Sequence, residues 1–292
     1  MSYVAQDQST IRDMGGLANL PGLDTVRDQL AAVIAVIEAE RARLDAGIPL
    51  TRRRWKNLVF TGGPGTGKSR TAAAIARLYH DLGVVTSGHL TEVSSTELTD
   101  LTAEGTAHVV REAISTARGG VLLLTDAHAY ADLQPRHQQV LRCIQDGLIQ
   151  FRDDLIVILA GETPQLHTLL RRNPALATRF PTIVDFPGYA PDQLAEIFAT
   201  LANEAGFTLT AAATHKASAV LEEAHRSSAS GNARLAVELL DQTTVNQALR
   251  MAKVTQTREP AELGTICGID IPGHLLGTAS AHADDRCLGQ YL

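Results

Sequence analysis

Apolar and polar positions follow two different periods along the first two thirds of the chain. From Asp24 to Leu44, apolar residues fall at Val26, Leu30, Val33, Ile37 and Leu44, close to the helical repeat. Arg27, Asp28, Glu38, Glu40, Arg41 and Arg43 take the other faces, so this segment predicts an amphipathic helix, ended by Gly47 and Pro49. Short apolar runs follow at Leu58–Phe60, His89–Val93, Val121–Leu124, Leu155–Leu159 and Thr182–Phe186. Helical patterns separate them, as at Ala72, Ile75, Ala76, Tyr79 and Leu82, or at Leu141, Ile144 and Leu148. Near-continuous apolar strands alternating with amphipathic helices predict a parallel sheet covered on both faces.

After Pro187-Gly188 no further strand is expected. Leu194, Ile197, Phe198 and Leu201 mark one helix; Val220, Leu221 and Ala224 mark a second. Leu235, Leu239, Gln242 and Leu249 mark a third, opened by Gly231-Asn232. The expected organisation is an N-terminal segment (1–19), an α/β domain (20–188), a small helical domain (189–254) and a weakly patterned tail (255–292).

Composition narrows the class. The 292 residues are 45% hydrophobic and 20% charged, as in an ordinary globular domain. No apolar stretch approaches the ~18–20 residues of a membrane span, and the N-terminus lacks the basic-then-apolar build of a signal peptide. A cytoplasmic protein without membrane insertion is expected. A net charge of −6 argues against duplex nucleic acid as the main partner. Three widely spaced cysteines give neither a disulfide framework nor a zinc pattern.

One motif carries chemistry. Gly62-Gly63-Pro64-Gly65-Thr66-Gly67-Lys68-Ser69 matches G-x-x-x-x-G-K-[ST] in full, between an expected strand and an expected helix. Glycines let backbone N–H groups turn toward an anion, and the helix N-terminus adds its positive end. Lys68 stands in a first helical turn, where the dipole disfavours a cation; an anionic ligand explains it. Ser69 offers a hydroxyl to Mg²⁺. The motif assigns nucleotide binding without naming the reaction. There is no Asn-Lys-x-Asp for guanine, no G-x-S-x-G elbow and no H-E-x-x-H zinc site.

From about Leu20 to Pro272 the chain resembles AAA+ ATPases. Within them it is similar to the branch of red-type Rubisco activases, cytosolic ATPases of type VII secretion and sporulation stage V ATPases. Pro21-Gly22-Leu23-Asp24-Thr25-Val26 is like the family's Val-Gly-Leu-x-x-Val segment, which contacts adenine. Gly119-Gly120-Val121-Leu122-Leu123-Leu124 is similar to the run before its Asp-Glu-Ala, Asn173–Phe180 to its arginine-finger segment, and Gly231–Arg234 to its sensor-2 segment. The resemblance implies a P-loop NTPase fold, a five-stranded parallel sheet of order 5-1-4-3-2 sandwiched by helices, with a helical lid. It implies ATP and Mg²⁺, with Gly22, Leu23 and the run Gly62, Gly63, Pro64, Gly65, Thr66, Gly67, Lys68, Ser69 and Arg70 around the nucleotide. Ser69 and Asp126 are then the candidate metal residues. Thr125, Asp126, the finger Arg179 and the sensor Arg234 are the candidate catalytic ones. A finger arginine acts in trans on the transferring phosphoryl group, so a homo- or hetero-oligomer, a hexamer by resemblance, is implied.

Two places depart from the family. Its third strand ends in Asp-Glu, where this chain has Thr125-Asp126-Ala127-His128. The ungapped register puts Thr125 at the Mg²⁺ acid and Asp126 at the base; a shift of one makes Asp126 the Mg²⁺ acid and leaves Ala127 at the base. The first keeps the flanking residues aligned and is preferred. Either register lacks one carboxylate, with Glu162 a replacement candidate and Thr163 an alternative sensor-1 group. In the segment that carries the family's pore aromatic, this chain has Thr102. Arg52–Lys56 reads as a solvated basic loop, and His128 and His137, which flank Asp132, as structural or surface histidines, with a metal site there the alternative.

Two functions are therefore expected. The first is an AAA+ ATP hydrolase of weakened activity that remodels a protein partner of unknown identity. The alternative is a hydrolysis-deficient nucleotide-binding regulatory or scaffold subunit of a mixed ring. A nucleic-acid-directed loader rests on fold analogy and the basic run alone.

Overall fold

The computed structural model describes residues 21–50, 54–98, 102–132, 134–227, 231–252 and 260–275. The expected N-terminal segment, Arg52-Arg53 and the end of the tail lie outside the described residues. The chain divides into two units. One holds the described residues up to Gly63 together with Lys68–Pro187; the other holds Pro64–Gly67 and the described residues from Gly188 on.

In the first unit, helix α1 (Asp24–Asp45) leads to β1 (Leu58–Thr61), α2 (Lys68–Asp81) and β2 (Leu90–Ser94). There follow α3 (Ala103–Thr116), β3 (Val121–Thr125), α4 (Pro135–Gln150), β4 (Ile156–Gly161), α5 (Thr163–Arg172), the single turn α6 (Pro174–Ala177) and β5 (Thr182–Asp185). All strand pairs are parallel and the order is β2-β3-β4-β1-β5, the order the resemblance implies. Parallel neighbours need crossovers, which the helices supply.

The three inner strands explain their apolar runs. Leu58, Val59, Phe60, Leu122, Leu123, Leu124, Val157, Ile158 and Leu159 are completely buried, so both sheet faces are covered. Val59, Leu122, Leu124, Val157 and Leu159 share one apolar cluster with Val110 and Ile114 of α3 and Val140, Ile144 and Leu148 of α4. By the strand's period of two, Leu58, Phe60, Leu123 and Ile158 face the opposite side. Gly147 lets α3 and α4 approach: a Cβ there would lie 3.0 Å from two Ile114 carbons.

Polar side chains stitch the N-terminal end of the sheet. The buried Asn57 accepts from the Val157 N–H (2.8 Å) and donates to the Arg179 carbonyl (2.9 Å). Tyr79, fully buried, donates to the Lys56 carbonyl, and Lys56 pairs with Glu40 of α1 at 3.1 Å. Burial holds the Tyr79 phenol well above its ordinary pKa. At the other end of the sheet, Gln29 of α1 accepts from the N–H of Asp185, the last residue of β5, at 2.9 Å.

The second unit is built on α7 (Pro191–Glu204), α8 (Ala211–Ser227) and α9 (Ala233–Ala252). Leu194, Phe198, Leu201, Leu221, Ala236 and Leu239 form much of its interior. Leu249, expected on the apolar face of this helix, is exposed. The expectation of no further strand needs correcting. Two-residue strands, β6 (Thr208–Leu209) and β7 (Thr265–Ile266), pair in parallel. Residues 260–275, expected to be weakly patterned, include the turn α10 (Pro260–Leu263) and β7.

Ionic and polar bonds hold that segment to the helices. Arg250 donates twice to the buried Asp270, at 2.6 and 2.8 Å, and the Cys267 N–H adds a bond of 2.7 Å. Lys216 donates to the carbonyls of Gly268 and Ile271. Burial pushes the Asp270 carboxyl up, but the Arg250 hydrogen bonds, the Cys267 N–H and the nearby guanidinium charge outweigh it and hold it low. Asp270→Asn leaves Arg250 without its counter-charge and should cost on the order of 3 kcal/mol in chemical denaturation. The sign with pH follows. A carboxylate with a lowered folded pKa stabilises above its unfolded value, about 3.9, and loses that as pH falls through the folded value. The stability gap between the natural chain and Asp270→Asn should therefore shrink below about pH 4.

Candidate active site

The phosphate loop joins β1 to α2. Gly65 and Gly67 hold φ of +69° and +88°, a conformation L side chains rarely adopt. A Cβ on Gly65 would come within 2.9 Å of the Gly231 carbonyl oxygen and 3.2 Å of Arg234 Cγ. Within the second unit the crest of the loop is anchored by side chains. Asn232 donates to the Pro64 carbonyl (2.9 Å) and accepts from the Tyr189 N–H (3.2 Å). The Tyr189 hydroxyl donates to the Thr66 carbonyl (3.2 Å), and the Ala233 N–H to the Gly65 carbonyl (3.0 Å). Asn232 stands where Gly231-Asn232 was expected to open the third lid helix. Its φ is +47° and its side chain serves the loop. Arg234 is exposed in the first turn of α9, beside Gly65.

At the start of α2, Lys68 Nζ donates to the carbonyls of Gly62 (3.0 Å) and Gly63 (2.5 Å), so the ammonium sits over the loop it must serve. Ser69 follows, and its hydroxyl donates to Glu92 Oε1 of β2 at 3.2 Å. Arg70 is half-buried in the same turn.

At the C-terminal end of β3, Thr125 is the last strand residue, in register with Ser94 of β2. Asp126 follows with φ +52°, one of two non-glycine residues with positive φ among those described. Its backbone is held there: its carbonyl accepts from the Ser95 hydroxyl (3.1 Å) and the Ala129 N–H (2.9 Å). Ser94 donates to Asp126 Oδ2 at 3.4 Å. Beneath it, burial and the Asp126 charge both raise the Tyr130 phenol well above its ordinary range. A strained residue with a fixed carboxylate at a strand's C-terminal end is a common form of pre-organisation.

The other candidates are distributed as follows. Gly22 (φ +73°) turns the chain into α1, and Leu23 is buried. Arg179 is half-buried; it donates to the Ala175 carbonyl and lies 5.9 Å above the Trp55 ring. Glu162 is exposed and accepts from Gln165, while Thr163 opens α5. Thr102 caps α3, its hydroxyl accepting from the Gly105 N–H at 3.2 Å. Thr99–Leu101 lie outside the described residues. His137 and Asp132 pair at 2.5 Å, and among the described residues no group of three His, Cys, Asp or Glu could hold a metal.

These residues fit a nucleotide with Mg²⁺. The loop offers N–H groups and a lysine to phosphate. Ser69 offers a hydroxyl with a carboxylate beside it. Mg²⁺ takes few protein ligands at such sites and completes its shell with phosphate oxygens and water. Bound there, the ion would neutralise charge between phosphates.

Family models match both units. The model described as ATPase family associated with various cellular activities (AAA) matches residues 58–188, and the AAA lid domain model matches 190–281. Protein CbbX of Cereibacter sphaeroides is 31% identical over 80% of this chain and 76% of its own length. The chain belongs to the AAA ATPase family. Protein CfxQ of Xanthobacter flavus is 30% identical over 86% of this chain and 80% of its own. The chloroplastic ribulose bisphosphate carboxylase/oxygenase activase of Cyanidioschyzon merolae is 28% identical over 80% of each chain. The ESX-1 secretion system protein EccA1 of Mycobacterium tuberculosis is 29% identical over 91% of this chain but 48% of its own length. The branch is thus the one the motifs resemble. Among solved structures, RuvB of Thermotoga maritima superposes with a TM-score of 0.52 at 19% identity, over 87% of this chain and 71% of that one. That likeness concerns the fold alone.

For this AAA ATPase, sequence reasoning overlooked Glu92 and Ser94 in the first unit and, in the second, Tyr189 and the loop-anchoring role of Asn232. Each meets its partner through distant pairing, 168 positions apart for Asn232 and Pro64. Only Glu92 gave a local signal, as a charged residue inside a strand pattern.

Proposed function

We propose that this protein couples ATP binding and hydrolysis to the remodelling of a protein partner. The observation that carries the reading is the phosphate loop in its AAA sheet, with Lys68 and Ser69 at the helix start and Asp126 fixed at the end of β3. In this reading Gly62–Arg70 cradle the phosphates with Mg²⁺, Asp126 orients or deprotonates the attacking water, and Arg234 neutralises phosphate charge. Arg179 serves a neighbouring subunit's site in a homo- or hetero-oligomer. It leaves its place over Trp55 to do so. Gly22 and Leu23 lie by the adenine. A protein partner is favoured by the relatives, whose names include an activase of a carboxylase and a secretion protein. Among the described residues no helix is long and apolar enough to cross a membrane, and a cytoplasmic setting suits this function.

A second reading, a hydrolysis-deficient regulatory subunit of a mixed ring, is favoured by Thr125 and Ala127 in the place of an acidic pair. Thr102 points the same way for threading, since the residue in the pore-aromatic position caps a helix. Weak hydrolysis is the expected form of the first reading.

Equilibrium binding of Mg·ATP and steady-state phosphate release, measured on one preparation, test the proposal. Tight binding with release above the background of a loop-inactivated control is expected. Binding without release would replace it with the second reading.

A further inference from the structure

Both registers of Thr125-Asp126-Ala127 leave one acid short when β3 alone is considered. In the fold, Thr125 brings a hydroxyl, and Asp126, with its positive φ, meets Ser94 at the end of β2 and Ser95 just after it. The carboxylate that reaches the phosphate-loop hydroxyl is that of Glu92, whose Oε1 accepts from Ser69 Oγ at 3.2 Å.

We propose that Glu92 is the metal-facing acid of this ATPase, acting on Mg²⁺ with Ser69, and that Asp126 is thereby left free to act on water. This rests on the reading of the site as an Mg·ATP site.

Three observations support it. The first is distance. Neighbouring oxygens of an octahedral Mg²⁺ with bonds of 2.0–2.1 Å stand about 2.9 Å apart, close to the Ser69–Glu92 separation, so one cation or its bound water can take both. The second is position. Glu92 and Ser94 are two residues apart on β2 and share a face, so one strand presents a carboxylate to Ser69 and a hydroxyl to Asp126. The third is cost. Glutamate is disfavoured inside strands, and β2 is an edge strand of five residues in which Glu92 is exposed. An exposed glutamate on an edge strand costs little to keep.

In P-loop NTPases the corresponding acid stands at the end of the strand carrying the Walker B motif. Here the role moves sideways by one strand, from the Thr125 position on β3 to β2. Glu92 lies level with Leu123, two residues short of Thr125, and it is the start of α2, at Ser69, that its side chain reaches.

The test is the Mg²⁺ dependence of nucleotide affinity, read with a fluorescent ATP analogue in magnesium and in EDTA. It is supplemented by electron paramagnetic resonance of Mn²⁺ bound with ATP. In the natural chain Mg²⁺ should tighten binding. Glu92→Gln should weaken metal affinity in the nucleotide complex about 10- to 100-fold. In EDTA the same variant should bind ATP at least as well as the natural chain, because a negative charge near the phosphates is gone. That arm also shows that the variant folds. Adding Thr125→Asp to Glu92→Gln should restore the metal response. An undiminished Mg²⁺ effect and unaltered Mn²⁺ affinity in Glu92→Gln would overturn the assignment while leaving ATP binding intact. Failure of the natural chain to bind the analogue in either buffer would overturn the ATP reading itself.

Discussion

Asp126→Asn should lower phosphate release by about 10²–10⁴-fold, the worth of a positioned general base, while ATP affinity stays close to that of the natural chain. The substitution is conservative in every respect but charge. Asparagine tolerates the left-handed conformation as well as aspartate does, so φ +52° is kept. The bonds from Ser95 and Ala129 go to the Asp126 carbonyl and survive the change. Ser94 can still donate to a side-chain oxygen at that place. What disappears is a group able to take a proton. Release equal to that of the natural chain would mean that Asp126 has no part in the chemistry.

Lys68→Ala should weaken ATP binding about 10- to 100-fold, the scale of one charge-assisted hydrogen-bonding group, and remove phosphate release. The lysine stands in the first turn of α2 against the helix dipole, with its ammonium drawn back over the Gly62 and Gly63 carbonyls. Alanine is the better residue for that helical position, so the variant should fold, with an unchanged circular dichroism spectrum. Calorimetric titration with Mg·ATP reads the loss. Full affinity in Lys68→Ala would detach the loop from nucleotide binding.

The two effects separate binding from chemistry, and with Glu92 they divide the site into three tasks. On the proposed reading, Lys68 and the glycine loop would hold phosphate, Glu92 and Ser69 would face the metal, and Asp126 would act on water. The apparent lack of an acid in Thr125-Asp126 would then be a relocation to β2.

How far the sequence could be read depended on where each partner lies. Inner strands β1, β3 and β4 are buried on both faces, so they appear as unbroken apolar runs and stand out. In β2 only Val93 is fully buried, which is why its pattern was faint. β6 and β7, with two residues each, are shorter than one period of any alternation. The strand order came from family resemblance, since periodicity does not encode adjacency. The phosphate loop was apparent because all eight residues are contiguous. Glu92 was not, because its relation to Ser69 exists only once β2 and the start of α2 are brought together. Asn57 is similar: one buried amide bridges residues 157 and 179, which nothing local announces.

The most direct test of ATP hydrolysis by this chain is single-turnover phosphate release from saturating Mg·ATP, comparing the natural protein with the doubly substituted Thr125→Asp, Asp126→Glu form. Measurable release by the natural protein, exceeded by the substituted form, is the predicted result. No release by the natural protein, with turnover only in the substituted form, would contradict it and make the natural chain a nucleotide-binding subunit whose partners do the chemistry.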